Sequence, residues 1–264
     1  MVSETFKNTD RDVYRDGNVI TIRSLSTGLV VGNFIKVIYQ GTQCGYQEFD
    51  LDFSNVESVY PNACVPFAGL LEYYQSNQKL SFTYKNIPDF LRLTNTLAPS
   101  VVRGNNIYQT SPLNIVWKFS SSDEVHSLVE AYLDTVSKST VCQNGVIQGL
   151  EWCLNEIMDN VLQHSSADYG YVMGQIHQNS QHIAVCIYDY GQGILNTLRT
   201  SYAPNSAVDA ITIAIKEGVT RDKSIGQGNG MWGLSNIVRS NSGLLNIISG
   251  SGFLAEMLKC TLEL

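Results

Sequence analysis

The sequence lacks the features that mark several large classes of protein. It has no basic excess, since 17 Lys and Arg stand against 24 Asp and Glu for a net charge of −7. A surface that attracts nucleic-acid backbones is therefore not expected, and neither is a nucleic-acid partner. No apolar run approaches the ~20 residues that a membrane-spanning helix needs, and the polar start of the chain does not resemble a secretory leader. We expect a cytoplasmic protein with no membrane partner.

Closely spaced cysteine pairs, internal repeats and low-complexity tracts are also missing. The six cysteines are scattered without a C-x-x-C pair. This arrangement fits neither a zinc site nor a dense disulfide framework, and we expect buried thiols in a reducing compartment. Only 16% of the residues are charged, whereas 44% are hydrophobic. A wholly disordered chain and a coiled-coil rod are both excluded by that balance.

The length of 264 residues predicts about two domains, at roughly 150 residues for each. Residues 103–112 are polar and rich in turn formers, and the acidic excess lies almost wholly after them. We therefore place a boundary there, which gives a small α/β domain over residues 1–112 and a second domain over residues 113–264.

Strand-like and helix-like patterns alternate in the first half, which predicts a small open α/β layer. The predicted strands cover residues 19–22, 49–53 and 80–84. A helix or further apolar element is predicted over residues 29–38, and helices over residues 63–74 and 88–93.

An α/β sandwich is predicted for the second half. Its expected strands cover residues 115–119, 169–177, 182–190, 244–249 and 253–264, and its expected helices cover residues 123–136, 143–164 and 234–239. Ser121 and Glu124 form a capping box that opens the first of these helices.

The long helix over residues 143–164 carries the first group of polar residues with chemical potential. Glu156, Asn160 and His164 are four residues apart and stack along one helix face. An amide oxygen is a hard ligand for Mg²⁺, and a nearby carboxylate can orient or deprotonate a water. The alternative is the solvent face of an amphipathic helix, whose core stripe we predict as Leu150, Leu154, Ile157 and Val161.

A second group follows the strand over residues 182–190. Asp189 is followed by Gly191 and Gly193, in the pattern D-x-G-x-G. An aspartate at a strand end can accept a hydrogen bond from an exocyclic amine such as that of adenine, and glycines let the backbone pass close to a flat ring. The alternative is a tight turn after a strand.

A third group is rich in glycine and leads into a helix. Gly226, Gly228 and Gly230 free the backbone amides to surround phosphate oxygens, next to a helix N-terminus that favours negative charge. The alternative is a flexible loop. The segment matches neither the phosphate loop G-x-x-x-x-G-K-[ST] nor a dinucleotide fingerprint after a first strand.

In order, spacing and element type, the three groups together resemble the motifs of the Bergerat-fold (GHKL) ATPases, the superfamily that contains gyrase B, histidine kinases and MutL. The resemblance covers residues from about 115 to 264. It implies ATP and Mg²⁺ as ligands, with Glu156 as the general base or as the group that orients the attacking oxygen, and Asn160 as the metal ligand. It further implies that Asp189 binds the adenine amine and that His164 is a nucleotide contact of second rank.

The remaining sites implied by the resemblance surround the base and the phosphates. Gly191, Gly193 and Ile194 would form the adenine pocket; Gly226, Gly228 and Gly230 would hold the phosphates; Thr220 and Met231 would also contact the nucleotide. Residues 198–225 would form the ATP lid. Arg221 or Lys223 in this lid could reach the terminal phosphate, with a solvated surface charge as the alternative.

Several departures accompany the resemblance. Family members often carry a threonine after a glycine in the final strand, where Gly252 is followed here by Phe253. No helical hairpin with a phospho-acceptor histidine precedes the ATPase region, which argues against a sensor histidine kinase.

The first half resembles STAS-like domains around residues 50–63, although Pro61-Asn62-Ala63 replaces their phosphorylatable residue. An unrelated small α/β domain is the alternative.

The function implied is that of a Mg·ATP-binding regulatory protein in signalling, with ATPase or anti-sigma-type protein serine/threonine kinase activity. Its lid would couple the nucleotide state to a protein partner, and a homodimer is left open. The alternative is a nucleotide-sensing interaction module without productive catalysis. The missing threonine after Gly252 and the altered third group, Gly230-Met231-Trp232-Gly233, motivate it.

Overall fold

The computed structural model describes residues 12–108, 111–219 and 230–257, which form two compact units that interleave along the chain. The first unit takes the chain up to Val101 with Leu113–Lys118 and Tyr171–Tyr188; the second takes Val102–Pro112, Phe119–Gly170 and the chain from Asp189 onward. Each unit thus draws on both sides of residue 112. The two-domain division at that residue stays a prediction.

Two open sheets and several helices make up the first unit, so its architecture is mixed α/β. The first sheet has the order β1 (Val13–Asp16), β2 (Val19–Ile22), β3 (Glu48–Asp52) and β4 (Ser81–Lys85). The helices are α1 (Leu29–Gln43), α2 (Pro61–Asn77) and α3 (Asp89–Leu93). The second sheet has the order β5 (Ser100–Val101), β6 (Trp117–Phe119), β7 (Gly170–His177) and β8 (His182–Asp189); Phe119, Gly170 and Asp189 fall in the second unit.

Burial alternates along β3, so one face of the first sheet packs into the core and the other is polar. Phe49 and Leu51 are buried, whereas Asp50 and Asp52 point to the other face, where Lys85 of β4 pairs with Asp50 at 2.8 Å. β1 runs antiparallel to β2, and β2, β3 and β4 run parallel. The strands predicted over residues 19–22, 49–53 and 80–84 are confirmed to within a residue.

Helix α2 packs against strands from beyond residue 112. A methyl group built on Gly69 would lie 2.5 Å from the Tyr188 ring, so only glycine leaves room for that ring. One helical turn further on, the Glu72 carboxylate accepts a hydrogen bond from the Tyr171 hydroxyl at 2.7 Å and pairs with Lys118 Nζ at 3.1 Å. Tyr171 is fully buried. These contacts place α2 and the strands β6, β7 and β8 in one core.

A stack of three rings joins the start of α2 to the turn between β7 and β8. The His177 ring stacks on the Tyr60 ring, with centroids 5.6 Å apart, and on the His182 ring, with centroids 4.5 Å apart. Gln175 Nε2 adds a hydrogen bond to the Val59 carbonyl at 3.2 Å. Burial, and then the nearby His182, lower the pKa of His177 below its ordinary value of 6.5.

This stack predicts a loss of stability in acid. Because the folded chain binds the His177 proton less readily than the unfolded chain, the free energy of unfolding decreases as the pH falls below about 6.5. Urea titrations at pH 7.5 and pH 5.5 measure the decrease. His177→Phe keeps a stacked ring without the titration and is expected to show a smaller decrease. His126→Gln, a change at the exposed residue His126, is the control. An equal decrease in His177→Phe would contradict the assignment.

Within its described residues, the second unit contains helices and one hairpin. The helices are α4 (Ser122–Ser139), α5 (Val146–His164), α6 (Gly193–Tyr202), α7 (Ala207–Ala214) and α8 (Gly230–Ser240); the hairpin strands are β9 (Leu244–Ser249) and β10 (Gly252–Met257). The Ser121 hydroxyl caps α4 by accepting from the Glu124 amide at 3.4 Å, as predicted. The Glu124 carboxylate accepts from the amide of Ser120 at 2.7 Å, one residue before the capping serine.

Part of the predicted lid over residues 198–225 is helical. Within the described residues, α6 extends to Tyr202 and α7 follows after a short turn. A methyl group built on Gly252 would lie 2.7 Å from the Ala207 backbone, so α7 begins in close contact with the hairpin. Residues 198–202 and 207–214 of the predicted lid therefore belong to helices, and the assignment of the whole stretch as an ATP lid stays a prediction.

The prediction of buried thiols is correct for Cys64 and Cys153 and wrong for Cys44, which is exposed. The described cysteines are free, and burial raises the pKa of Cys64 to about 11 and that of Cys153 to about 11.

In the part of the chain that the structure describes, no helix has both the length and the apolar content to cross a bilayer.

Candidate functional site

Helix α5 carries the first candidate residues on a face separate from its core stripe. Its buried residues are Cys153, Leu154, Met158 and Val161. The predicted stripe is therefore partly wrong, because Leu150 and Ile157 are only half-buried. Met158, three residues before Val161, completes the stripe instead. Glu156, Asn160 and His164 are half-buried and not on a free solvent face.

The first residue of α8 covers part of that face. A methyl group built on Gly230 would lie 2.6 Å from Glu156 Oε2 and 3.6 Å from Asn160 Nδ2. The last glycine of the predicted phosphate segment thus lies against the carboxylate and the amide of the predicted base and metal ligand. Only a residue without a side chain fits there while Glu156 keeps its position.

The environment of Glu156 suits a proton acceptor. Burial raises the pKa of Glu156 above its ordinary value of 4.5, and the charge of Asp159 one turn away raises it further. A carboxylate with a raised pKa binds a proton more tightly than an ordinary carboxylate, which suits a group that accepts a proton during a reaction.

Asp189 ends β8 and closes a tight turn. Its Oδ1 accepts a hydrogen bond from the Gly191 amide at 2.7 Å. Burial raises the pKa of Asp189, and the bond from Gly191 opposes this effect. Because the turn uses Oδ1, the second oxygen, Oδ2, has acceptor capacity for another donor.

The segment after Asp189 is fastened to the C-terminal end of α5. A methyl group built on Gly191 would lie 2.0 Å from the Ser165 carbonyl oxygen, and the Gln192 amide donates to that oxygen at 2.8 Å. The Gln192 side chain donates to the His164 carbonyl at 2.8 Å. The turn therefore satisfies carbonyls that the helix end leaves without intrahelical partners.

Gly193 and Ile194 lie beside a hydroxyl that the sequence did not indicate. Gly193 has φ +72°, a conformation that favours glycine, and the Ile194 amide donates to Ser249 Oγ at 2.8 Å. Ser249 ends β9. The resemblance predicts a threonine hydroxyl at the residue after Gly252. The hydroxyl that contacts this segment comes instead from the other strand of the hairpin.

The structure brings together most of the predicted site residues that it describes. Glu156, Asn160 and Gly230 are close at one end of the polar face of α5, and His164 and Gly191 lie at its C-terminal end. Met231 is the half-buried second residue of α8. Thr220, Gly226 and Gly228, together with Arg221 and Lys223, lie outside the described residues.

The described residues contain no group of three His, Cys, Asp or Glu side chains that could hold a metal ion by themselves. Mg²⁺ commonly binds through one or two protein oxygens together with substrate phosphates and waters. The side-chain oxygen of Asn160 is a hard donor of this kind, so the residues present fit a metal that arrives with a phosphate ligand.

Comparison with known proteins adds no relative: no protein-family model, curated protein or solved structure matches this chain.

Proposed function

We propose that the second half of the chain binds Mg·ATP in the manner of Bergerat-fold ATPases and that the protein is a regulatory ATPase or an anti-sigma-type protein serine/threonine kinase. The observation that carries this proposal is the contact of Gly230 with Glu156 and Asn160, on the same helix that receives the Asp189 turn at its end. At this point an amide oxygen can bind the metal, a glycine backbone can approach the phosphates, and a carboxylate is close enough to act as the base.

The length of α5 between the two groups supports a nucleotide in particular. Glu156 and His164 are eight positions apart, which corresponds to about 12 Å of helix at a 1.5 Å rise per residue. The adenine and the terminal phosphate lie at opposite ends of ATP. A ligand along α5 would therefore place its base near Asp189 and its phosphates near Glu156.

Each residue then has a distinct role. Asp189 Oδ2 would accept a hydrogen bond from the adenine amine, while Oδ1 keeps the turn closed. Asn160 would hold Mg²⁺, which neutralises phosphate charge when it is bound. Glu156 would orient and deprotonate the attacking hydroxyl, either of water or of a partner Ser or Thr.

The first half is proposed to be a STAS-like domain that responds to the nucleotide state. Support comes from the first sheet, in which one antiparallel pair, β1 and β2, continues into the parallel strands β3 and β4. The partner would be a regulatory protein that supplies or receives the signal.

Replacing Asp189 tests the adenine assignment. In Asp189→Asn, the side-chain oxygen can still accept from Gly191, so the amide nitrogen must face the adenine amine, and two donors then oppose each other. We expect ATP to bind at least about tenfold more weakly, which is about 1.4 kcal/mol. Isothermal titration calorimetry measures the change.

A matched control for that experiment is Asp168→Asn, because Asp168 is an exposed residue between α5 and β7. It is expected to bind ATP as the unaltered chain does. Unchanged ATP affinity in Asp189→Asn would remove the adenine assignment. If ATP binds and no phosphate is released or transferred, the protein is a nucleotide sensor without catalysis.

A further inference from the structure

Helices α5 and α8 run antiparallel and contact each other through glycines. A methyl group built on Gly149 would lie 3.1 Å from Ile237 Cγ2, one on Gly233 would lie 2.3 Å from Trp152 Cη2, and one on Gly230 would lie 2.6 Å from Glu156 Oε2. As the residue numbers increase along α5, the numbers of the contacting residues decrease along α8. At each level one partner is a glycine, which lets the helix backbones approach.

Trp152 occupies the middle level of this interface. Atoms of its six-membered ring, Cη2, Cζ3 and Cζ2, lie within 2.3–3.1 Å of where a Gly233 side chain would begin. The indole is rigid, so it fixes the separation of the helices at this level more sharply than a flexible side chain would. Trp152 is one turn before Glu156, and Gly233 is one turn after Gly230.

We propose that Trp152 is a positioning residue for Glu156: its indole, seated on Gly233, sets where the first turn of α8 lies against the Glu156 carboxylate. Calling that carboxylate a catalytic base rests on the proposed function, whereas the geometric coupling does not. A displacement of α8 at Gly233 is carried to Gly230, because both residues belong to the same rigid turn of helix.

The proposal is tested in the full chain with a double-mutant cycle. Gly233→Ala adds a methyl group against the indole and pushes α8 away. Trp152→Phe removes the ring atoms that the methyl group would meet and leaves a gap. The combination Trp152→Phe with Gly233→Ala fills the gap with the methyl group, and it is expected to restore the original separation.

Two readouts follow the position of α8. The first is the NMR signals of the Gly230 backbone amide and the Asn160 side-chain amide, recorded without nucleotide. Each single variant is expected to shift both signals, and the double variant to return them. The second is phosphate release from Mg·ATP, for which the single variants are expected to lower kcat about tenfold, with KM changed less than about twofold, and the double variant to recover kcat.

Gln148→Ala, a change at an exposed position of α5, is expected to alter neither readout. The proposal is overturned if the single variants leave the two amide signals in place, or if the double variant fails to restore them. If Gly233→Ala does not fold, Trp152→Phe alone and the double variant still test the proposal, since neither contains a methyl group against the indole. Absence of phosphate release in the unaltered chain would sink the catalytic role of Glu156 and leave the NMR test of positioning intact.

Discussion

Gly191→Ala is expected to destabilise the protein by about 3 kcal/mol, the upper end of the usual cost of overpacking. The methyl group would lie 2.0 Å from the Ser165 carbonyl oxygen, which is backbone and cannot rotate away. Moving the turn aside would break the hydrogen bond from the Gln192 amide to the same oxygen, at 2.8 Å. Chemical denaturation followed by circular dichroism measures the free energy of unfolding.

A second glycine-to-alanine change is the matched control. Gly32 lies in α1, is exposed, and has no neighbour within 4 Å of a methyl group built on it. Gly32→Ala is expected to stabilise the protein by about 0.5–1 kcal/mol, because alanine has the higher helix propensity. Opposite signs for the two variants are the expected result. A Gly191→Ala protein as stable as the unaltered chain would mean that the Asp189 turn does not pack on the end of α5.

The elements with strong local patterns were predicted well. Strand β3 alternates apolar and acidic residues, and α4 begins at a capping box, so both were predicted close to their observed bounds. Helix α7 was missed although it has a similar signal, since the Ser206 hydroxyl accepts from the Asp209 amide at 3.1 Å. We predicted a lid over this stretch and no helix within it. Strand β1 is only four residues long and carries no comparable pattern.

In the candidate site, too, the residues that belong to a local motif were predicted and those that depend on tertiary packing were not. Glu156, Asn160, Asp189 and the glycines after it stand out because a short motif sets their types and spacing. Ser249 and Trp152 do not, because their contacts depend on how the hairpin and α8 pack, and no local spacing encodes that packing. Gly149 and Gly233 could not be predicted for the same reason, since each must be glycine only because a side chain of the neighbouring helix lies against it.

Glu156→Gln is expected to reduce phosphate release or transfer from Mg·ATP by about 10² to 10⁴-fold, the usual contribution of a general base, while ATP binding changes little. The two side chains have nearly the same shape, so the contact with Gly230 is retained. In the unaltered chain, the rate is expected to fall as the pH decreases through the raised pKa of Glu156, above its ordinary 4.5. Exposed Glu151 on the same helix supplies the control, Glu151→Gln.

Stability provides an independent readout of the same change. Because burial raises the pKa of Glu156, the folded chain binds its proton more tightly than the unfolded chain, and stability decreases as the pH rises from 4.5 through the raised value. Glu156→Gln removes that decrease, so the variant is expected to melt at a higher temperature than the unaltered chain at pH 7, with the difference vanishing below pH 4.5. Slower chemistry together with higher stability is typical of a residue held for function at a cost to the fold. A variant that loses both activity and stability would instead mark Glu156 as a structural residue.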